Sequence, residues 1–184
     1  MMRVHPTPLA GLAVIETDPF ADDRGRFERV FCERELAALD PAMHVAQVNL
    51  STTFEAGTIR GMHFQRAPAA EGKLIRCLRG RVYDVAVDVR AGSPTFLKWH
   101  ALELDADAPL QVFLPAGFAH GFQALTPDVQ LLYLHTQRWN PGLEATLRHD
   151  DPALAIRWPL PVGTVSRKDR KAGLIDAGFE GVPP

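Results

Sequence analysis

The sequence has almost no excess charge and no long apolar segment. Its 184 residues include 20 Lys and Arg against 22 Asp and Glu, a formal net charge of −2, so it lacks the clustered basic face that nucleic-acid binding requires. No uninterrupted apolar run approaches the length that spans a bilayer, and the N-terminus MMRVHPTPLAGL lacks the hydrophobic stretch of a signal peptide. We therefore expect no nucleic-acid partner, no membrane association and a cytoplasmic location.

Cysteine is scarce, and the spacings typical of metal sites are missing. Cys32 and Cys77 each lie in an apolar stretch, which predicts free thiols in a reducing compartment rather than a disulfide. Seven histidines are present, yet none forms an H-x-H or H-x-x-x-H pair, and no C-x-x-C occurs. We therefore expect no zinc or iron site, although scattered ligands can still converge in space.

Short apolar runs are abundant, and they recur at short intervals between Gly, Pro and Asp. This spacing predicts an antiparallel sandwich or double-sheet barrel. The runs cover residues 12–17, 26–32, 44–51, 58–65, 73–80, 81–90, 97–104, 111–115, 118–125 and 129–136. Short helices are predicted over 32–40 and around 152–155. We expect one domain over 1–184, with a core over about 11–160 and a proline-containing tail, 161–184, that wraps the surface or reaches a partner.

The strand predicted over 81–90 carries two acids in an apolar setting. Its period of two places Asp84 and Asp88 on one face with Val82 and Ala86. Buried acids are rare unless they are paired. We therefore expect Asp84 at least to have a partner.

Histidine is the natural proton-transfer group near neutral pH when an acid orients its second ring nitrogen. Asp84, Asp88 and Asp169 are candidate orienting acids. Taken singly, however, each histidine, Tyr133 and Lys73 has an ordinary structural interpretation. We leave five histidines with that interpretation: His5, His44, His100, His135 and His149.

Eight short strings, in one order from about residue 11 to 175, change this assessment. The chain resembles the dTDP-4-dehydrorhamnose 3,5-epimerase family in DDRGRF (22–27), Q-x-N (47–49), GTIRGMHFQRAP (57–68), GKLIRCLRGRVYDVAVDVRAGSPTF (72–96), PAGFAHGF (115–122), LLY (131–133), DDP (150–152) and SRKD (166–169). The resemblance implies a mainly β fold, an antiparallel jelly-roll (cupin) barrel with a few short flanking helices. It also implies a homodimer whose N-terminal segments are exchanged, so that Arg24 serves the neighbouring site.

The resemblance also implies roles for individual residues. His63 matches the family's catalytic base and Asp169 its orienting acid, while Tyr133 matches the acid tyrosine. Lys73 and a second pair, His120 with Asp84, complete the catalytic set. Positions matching contacts to the nucleotide diphosphate or sugar are Arg24, Phe27, Gln47, Asn49, Arg60, Glu144 and Lys168.

The implied reaction explains these residue types. Removing a weakly acidic hydrogen beside a ketone leaves an enolate, which needs a base and positive charge at the keto oxygen. Inversion then requires an acid on the opposite face. No metal or redox cofactor is required.

The chain departs from the family at three places. Trp139 replaces a frequent tyrosine, which leaves open whether one or both carbons are inverted. Arg29 stands where an acid is common, with Glu28 one place early, which leaves the accepted nucleotide open. Met62 and Phe64 replace Leu and Tyr, which are volume-tolerant changes.

The function expected is inversion at C3, C5 or both of a dTDP-linked 4-keto-6-deoxyhexose. Within the same chemistry, the alternatives are a mono-epimerase, an epimerase for a GDP- or CDP-linked keto sugar, and a 3,4-ketoisomerase relative. Alternatives of a different class are a metal-dependent cupin dioxygenase and a non-catalytic sugar-nucleotide-binding protein, since one fold hosts many functions.

Overall fold

The computed structural model describes residues 2–40 and 43–183, which form thirteen β-strands and two short α-helices. The strands are β1 (Arg3–Pro6), β2 (Ala13–Glu16), β3 (Phe20–Asp22), β4 (Gly25–Phe27), β5 (Gln47–Thr53), β6 (Ile59–Gln65), β7 (Lys73–Arg79), β8 (Arg81–Asp88), β9 (Trp99–Asp105), β10 (Leu110–Leu114), β11 (Phe118–Ala124), β12 (Val129–His135) and β13 (Glu144–Thr146). The helices are α1 (Glu33–Leu36) and α2 (Arg167–Lys171). No helix in these residues is both long and apolar enough to cross a bilayer.

The strands form two large antiparallel sheets and a hairpin. One sheet has the order β1-β2-β10-β7-β12-β5, the other β13-β6-β11-β8-β9, and β3 pairs with β4 alone. The main core contains buried side chains from both large sheets, among them Ile75, Val82, Val112, Phe122 and Leu131. This arrangement confirms the predicted antiparallel jelly roll with short helices.

Strand β8 alternates as its sequence predicts. Val82 and Ala86 belong to the main core, while Val85 and Val87 pack in a second cluster on the opposite face. Asp84 therefore lies on the core face, where it is fully buried.

The main differences from prediction lie at exposed edges and in the segment around 152–155. Strands β1, β3 and β13 were not predicted, because they are short and none has a buried residue. The predicted helix around 152–155 is wrong. There the chain makes a single turn, whose N–H groups at 154 and 155 both bond to the carbonyl oxygen of Asp151, and it ends at Ala155 with φ +49°.

Three of the described residues in the tail are buried: Val165, Asp169 and Val182. Val165 forms a β-bridge with Ile59, and Val182 forms one with Arg90. Both valines are 4% exposed. The tail therefore adds to the core at these positions, and α2 lies within it.

Strands β6 and β11 approach closely because glycines face one another. A Cβ on Gly61 would lie 2.5 Å from Gly121 Cα, and a Cβ on Gly121 would lie 2.8 Å from the carbonyl oxygen of Arg60. Gly61 also has φ +126°, a conformation that side chains disfavour. The pairing of β6 with β11 sets His63 opposite His120.

We predict that Gly121→Ala lowers the free energy of unfolding by about 2 kcal/mol. The added methyl group would press against the backbone carbonyl oxygen of Arg60 on the facing strand, which cannot move aside as the end of a flexible side chain can. Urea denaturation measures this. Gly173→Ala is the matched control, since a Cβ there meets nothing within 4 Å. Equal stability of the two variants would contradict the close-approach argument.

Candidate active site

A cavity of about 480 Å³ collects most of the residues singled out from the sequence. Its size suits a small-molecule ligand. Strands from both large sheets and the segment around α2 contribute to its lining. The predicted site residues among them are Asn49, Arg60, His63, Lys73, His120, Tyr133, Glu144, Lys168 and Asp169.

His63 and Asp169 form a hydrogen-bonded pair at the cavity wall. His63 Nε2 lies 2.8 Å from Asp169 Oδ1, although 106 residues separate them in sequence. Ser166 caps α2, since its Oγ accepts from the backbone N–H of Asp169. Because an ionised carboxylate only accepts, His63 donates from Nε2, and Nδ1 is left with the lone pair.

The ionisation of Asp169 supports that tautomer. Burial raises the pKa of this carboxyl, but hydrogen bonds from His63 and from the backbone N–H of Gly61, together with the charge of His63 when it is protonated, lower it by more, so the pKa lies below its usual range. Asp169 is therefore ionised at neutral pH and orients the imidazole of His63.

Lys73 is a buried cation at the same wall. Its side chain is 8% exposed, its Nζ donates to the carbonyl oxygen of His63 at 3.1 Å, and Glu71 Oε1 lies 3.3 Å away. A buried ammonium needs such partners to keep its charge. The cavity therefore holds a positive group next to the strand that carries His63.

His120 and Asp84 form a second, deeper pair. His120 Nε2 lies 2.8 Å from Asp84 Oδ2, so Asp84 has the partner expected from the sequence. Asp84 itself does not line the cavity and acts on it through His120. The two histidine–carboxylate pairs lie on neighbouring strands because β6 pairs with β11.

Tyr133 lies between two histidine rings. His120 meets its ring edge-on, with centroids 5.8 Å apart, and His135 stacks against it at the same centroid distance with an interplanar angle of 17°. Burial, and then the negative charge of Asp84, raises the pKa of Tyr133 well above its ordinary value. The phenol therefore keeps its proton at neutral pH.

Polar and charged groups surround these residues at the cavity. Arg60 donates to Thr53 Oγ1 and to the carbonyl oxygen of Thr52, both at 3.0 Å. Lys168 forms an ion pair with Glu144. Gln47 does not line the cavity, but its Nε2 donates to Oδ1 of the lining residue Asn49 at 3.2 Å.

Two predicted binding residues lie elsewhere within this chain. Arg24 and Phe27 belong to the exposed β3–β4 hairpin and do not line the cavity. Arg24 forms an ion pair with Asp22 there. The structure of one chain thus brings together the catalytic candidates but not the hairpin.

Sequence reasoning missed His135 and Glu71, which both line the cavity. His135 Nδ1 lies 2.9 Å from Glu71 Oε2. A usable signal was present, because residues two apart on a strand share a face. His135 follows Tyr133 at that interval within β12, whereas Glu71 precedes the start of β7 and carried no such signal.

The departures from the family also have positions in the structure. Trp139 lines the cavity, is 56% exposed, and donates its backbone N–H to Gln47 Oε1. Arg29 forms an ion pair with Glu35 at 2.7 Å, and Glu28 pairs with the buried Arg76 at 3.0 Å.

The chemistry of the cavity is that of proton transfer. It combines an oriented imidazole, a neutral phenol and a buried ammonium, the groups that remove a proton, return one and stabilise an oxyanion. Within residues 2–40 and 43–183, there is no group of three or more His, Cys, Asp or Glu side chains that could hold a metal ion.

Comparison with known proteins agrees with these observations. The sequence matches the family described as dTDP-4-dehydrorhamnose 3,5-epimerase over residues 6–176. The dTDP-4-dehydrorhamnose 3,5-epimerase of Sinorhizobium fredii is 42% identical over 169 residues, covering 91% of this chain and 87% of that protein. The dTDP-4-dehydrorhamnose 3-epimerase of Streptomyces niveus is 36% identical over 183 residues, covering 97% of this chain and 88% of that one.

A solved structure extends the agreement to three dimensions. The dTDP-6-deoxy-D-glucose-3,5-epimerase of Legionella pneumophila, in complex with dTDP-4-keto-L-rhamnose, matches with a TM-score of 0.91 at 36% identity and covers 100% of each chain. This likeness confirms the expected cupin-type jelly roll. The chain belongs to the dTDP-4-dehydrorhamnose 3,5-epimerase family.

Proposed function

We propose that this protein is an isomerase that converts dTDP-4-dehydro-6-deoxyglucose to dTDP-4-dehydrorhamnose by inverting C3 and C5. The observation that carries the proposal is one cavity lined by an oriented imidazole, His63, a protonated phenol, Tyr133, and a buried ammonium, Lys73. The identity of the nucleotide sugar is inferred from the family and from the substrates for which its relatives are named.

The first step is removal of a proton from a carbon beside the 4-keto group. His63 Nδ1 takes this proton, while Asp169 holds the imidazole by its Nε2 and stabilises the imidazolium that forms. The electron pair of the broken C–H bond moves to give an enolate, with its charge on the keto oxygen. Lys73 supplies a cation for this oxygen, and His120, when it is protonated and paired with Asp84, supplies a hydrogen-bond donor from Nδ1.

Reprotonation from the opposite face completes the inversion. Tyr133 gives its phenolic proton to the carbon, which requires that the phenol be protonated beforehand, as its raised pKa ensures. His63 returns its proton to solvent and the tyrosine is reprotonated, so the cycle consumes no co-reactant.

The nucleotide end of the substrate requires positive charge and hydrogen-bond donors. Arg60 and Lys168 line the cavity as cations, and Asn49 offers an amide. Gln47 donates a hydrogen bond to Asn49, and Glu144 forms an ion pair with Lys168. We propose that these five residues bind the diphosphate and sugar.

A second candidate is inversion of C3 alone. Trp139 favours it, because this bulky side chain lines the cavity at the position of a frequent tyrosine. The 3-epimerase of Streptomyces niveus, which resembles the chain over 97% of its length, is named for inversion at one carbon.

We further propose that the enzyme works as a cytoplasmic homodimer. On the β3–β4 hairpin, Phe20 is 67% and Phe27 is 77% exposed, an apolar surface that a second copy would cover. Arg24 on the same hairpin would then reach the partner's cavity. The free thiols of Cys32 and Cys77 support a reducing compartment.

We predict that the protein, incubated in D₂O with dTDP-4-dehydro-6-deoxyglucose, introduces deuterium at both C3 and C5. His63→Ala should lower the exchange rate at least about 100-fold, because the general base is lost. Proton NMR of the two positions measures both results, and His100→Ala, at a histidine outside the cavity lining, is the control.

The outcomes of this experiment separate the candidates. Deuterium at C3 alone would favour the mono-epimerase. Exchange by His63→Ala at the normal rate would reject His63 as the base. No exchange by the unaltered protein would reject the dTDP-hexose, and GDP- and CDP-linked keto sugars would be tested next.

We predict that Tyr133→Phe lowers the rate of epimerised product formation by about 100-fold, because the acid on the opposite face is lost. Deuterium exchange should fall less, since His63 can still remove a proton and return a deuteron to the same face. Comparing product formation with isotope exchange tests this. Tyr83→Phe, where the ring packs against Trp158, should behave as the unaltered protein. Equal losses in both rates would argue against Tyr133 as the acid.

Subunit exchange of the hairpin can be tested by complementation. We predict that Arg24→Glu and His63→Ala are each inactive, but that co-expression of the two chains restores about a quarter of the normal rate, since half of randomly paired dimers hold one complete site. If Arg24 serves its own chain's cavity, the mixture stays inactive. A monomer in sedimentation analysis would also contradict the proposal.

A further inference from the structure

A polar chain connects the edge of the cavity to Lys73 through His135. Asn49 Nδ2 lies 3.2 Å from His135 Nε2, and His135 Nδ1 lies 2.9 Å from Glu71 Oε2. The second oxygen of Glu71 lies 3.3 Å from Lys73 Nζ. His135 is therefore the link between an amide at the proposed nucleotide site and the ion pair of Lys73.

The hydrogen-bond directions in this chain assign the tautomer of His135. Asn49 Oδ1 already accepts from Gln47 Nε2 at 3.2 Å, so the amide turns its NH₂ group toward His135. An NH₂ group donates, which makes His135 Nε2 the acceptor and places the ring proton on Nδ1. That proton is donated to Glu71.

Glu71 needs this donor because it is a buried carboxylate. Burial raises the pKa of Glu71, whereas the interactions with His135 and Lys73, chiefly the hydrogen bond from His135, together lower it by more, so the pKa lies below its ordinary value. Glu71 is thus ionised at neutral pH. One carboxylate oxygen of Glu71 pairs with Lys73 and the other accepts from His135. Because His135 satisfies part of the hydrogen-bonding capacity of Glu71, Lys73 does not have to satisfy the carboxylate alone.

His135 also contacts the proposed acid directly. Its ring stacks on Tyr133 with centroids 5.8 Å apart and an interplanar angle of 17°. One side chain therefore touches the phenol that returns a proton and the carboxylate that holds the cation. No role beyond an ordinary strand residue was expected for it from the sequence.

We propose that His135 is a positioning residue that, through Glu71, holds Lys73 in place to stabilise the enolate oxygen. This inference rests on the proposed epimerase function and adds a residue to its machinery. Without a donor at Nδ1, Glu71 takes a proton or draws Lys73 Nζ toward itself, and in either case the ammonium is no longer held toward the reacting ketone. Because the enolate charge exists only in the transition state and intermediate, the loss falls on kcat rather than on KM.

Two substitutions separate the hydrogen bond from the ring contact. His135→Phe keeps a flat ring against Tyr133 but removes both nitrogens. His135→Asn removes the ring but places an amide N–H near the position of Nδ1, within reach of Glu71. We expect kcat to fall at least about tenfold in His135→Phe, because a hydrogen bond to a charged group is lost. KM should change by less than about threefold. His135→Asn should recover most of kcat.

A double-mutant cycle tests whether the effect passes through Glu71. Glu71→Gln alone should lower kcat by a similar factor, since the charge that holds Lys73 is lost. In that background, adding His135→Phe should change kcat by less than about twofold, because residues that act through one contact are not additive. His100→Phe, the same substitution outside the cavity lining, is the control and should leave kcat unchanged.

Several outcomes would overturn the proposal. They are a normal kcat in His135→Phe, a kcat in His135→Asn no better than in His135→Phe, or additive losses in the double-mutant cycle. Thermal denaturation of each variant shows whether a lower kcat is caused by unfolding. Unfolding would reduce the fraction of active protein, and His135→Asn would then not recover the kcat lost in His135→Phe. If the unaltered protein does not turn over the sugar nucleotide, it is the proposed function that fails.

The tautomer gives a test that needs no substrate. In a long-range ¹H–¹⁵N spectrum of the ligand-free protein, with the His135 signals assigned from His135→Asn, we expect a neutral ring protonated at Nδ1. A ring protonated at Nε2 cannot donate to Glu71 from Nδ1 and would overturn the proposal whatever the kinetics show.

Discussion

The backbone contact between Gly61 and Gly121 is the constraint on which the site depends. A side chain at either glycine would lie within 2.5 Å of atoms of the facing strand, so β6 and β11 can meet there only without one. This contact sets His63 opposite His120. The two histidines therefore enter the cavity from adjacent strands, each with its own carboxylate.

Buried carboxylates then determine the protonation state of the site. Asp169, Asp84 and Glu71 each have one histidine partner at 2.8 to 2.9 Å. An ionised carboxylate fixes which ring nitrogen donates, and so decides which nitrogen is free to act. Asp169 thereby leaves the lone pair on Nδ1 of His63, the atom that we propose as the base. The charge of Asp84, added to burial, keeps Tyr133 protonated.

Much of the fold, and most of the residues that line the cavity as the proposed catalytic set, could be predicted, for physical reasons that differ between elements. Central strands such as β8 are long, buried and alternating, so their pattern is strong, and the unusual acid at Asp84 signalled a partner. Edge strands such as β1 are short and exposed and leave no such pattern. His135 was left as an ordinary histidine, because its importance comes from Glu71 and Asn49, which lie 64 and 86 residues away along the chain.

The sequence by itself determined the class of fold, the family resemblance and the residue types needed for proton transfer beside a ketone. These depend on local periodicity and on strings of neighbouring residues, which a linear sequence displays directly. Only the tertiary structure decided that Glu71 pairs with His135, that burial keeps Tyr133 protonated, and that the hairpin with Arg24 lies away from its own cavity. Hydrogen bonds and desolvation act between groups that are close in space, and residues 63 and 169 become neighbours only when the sheets have formed.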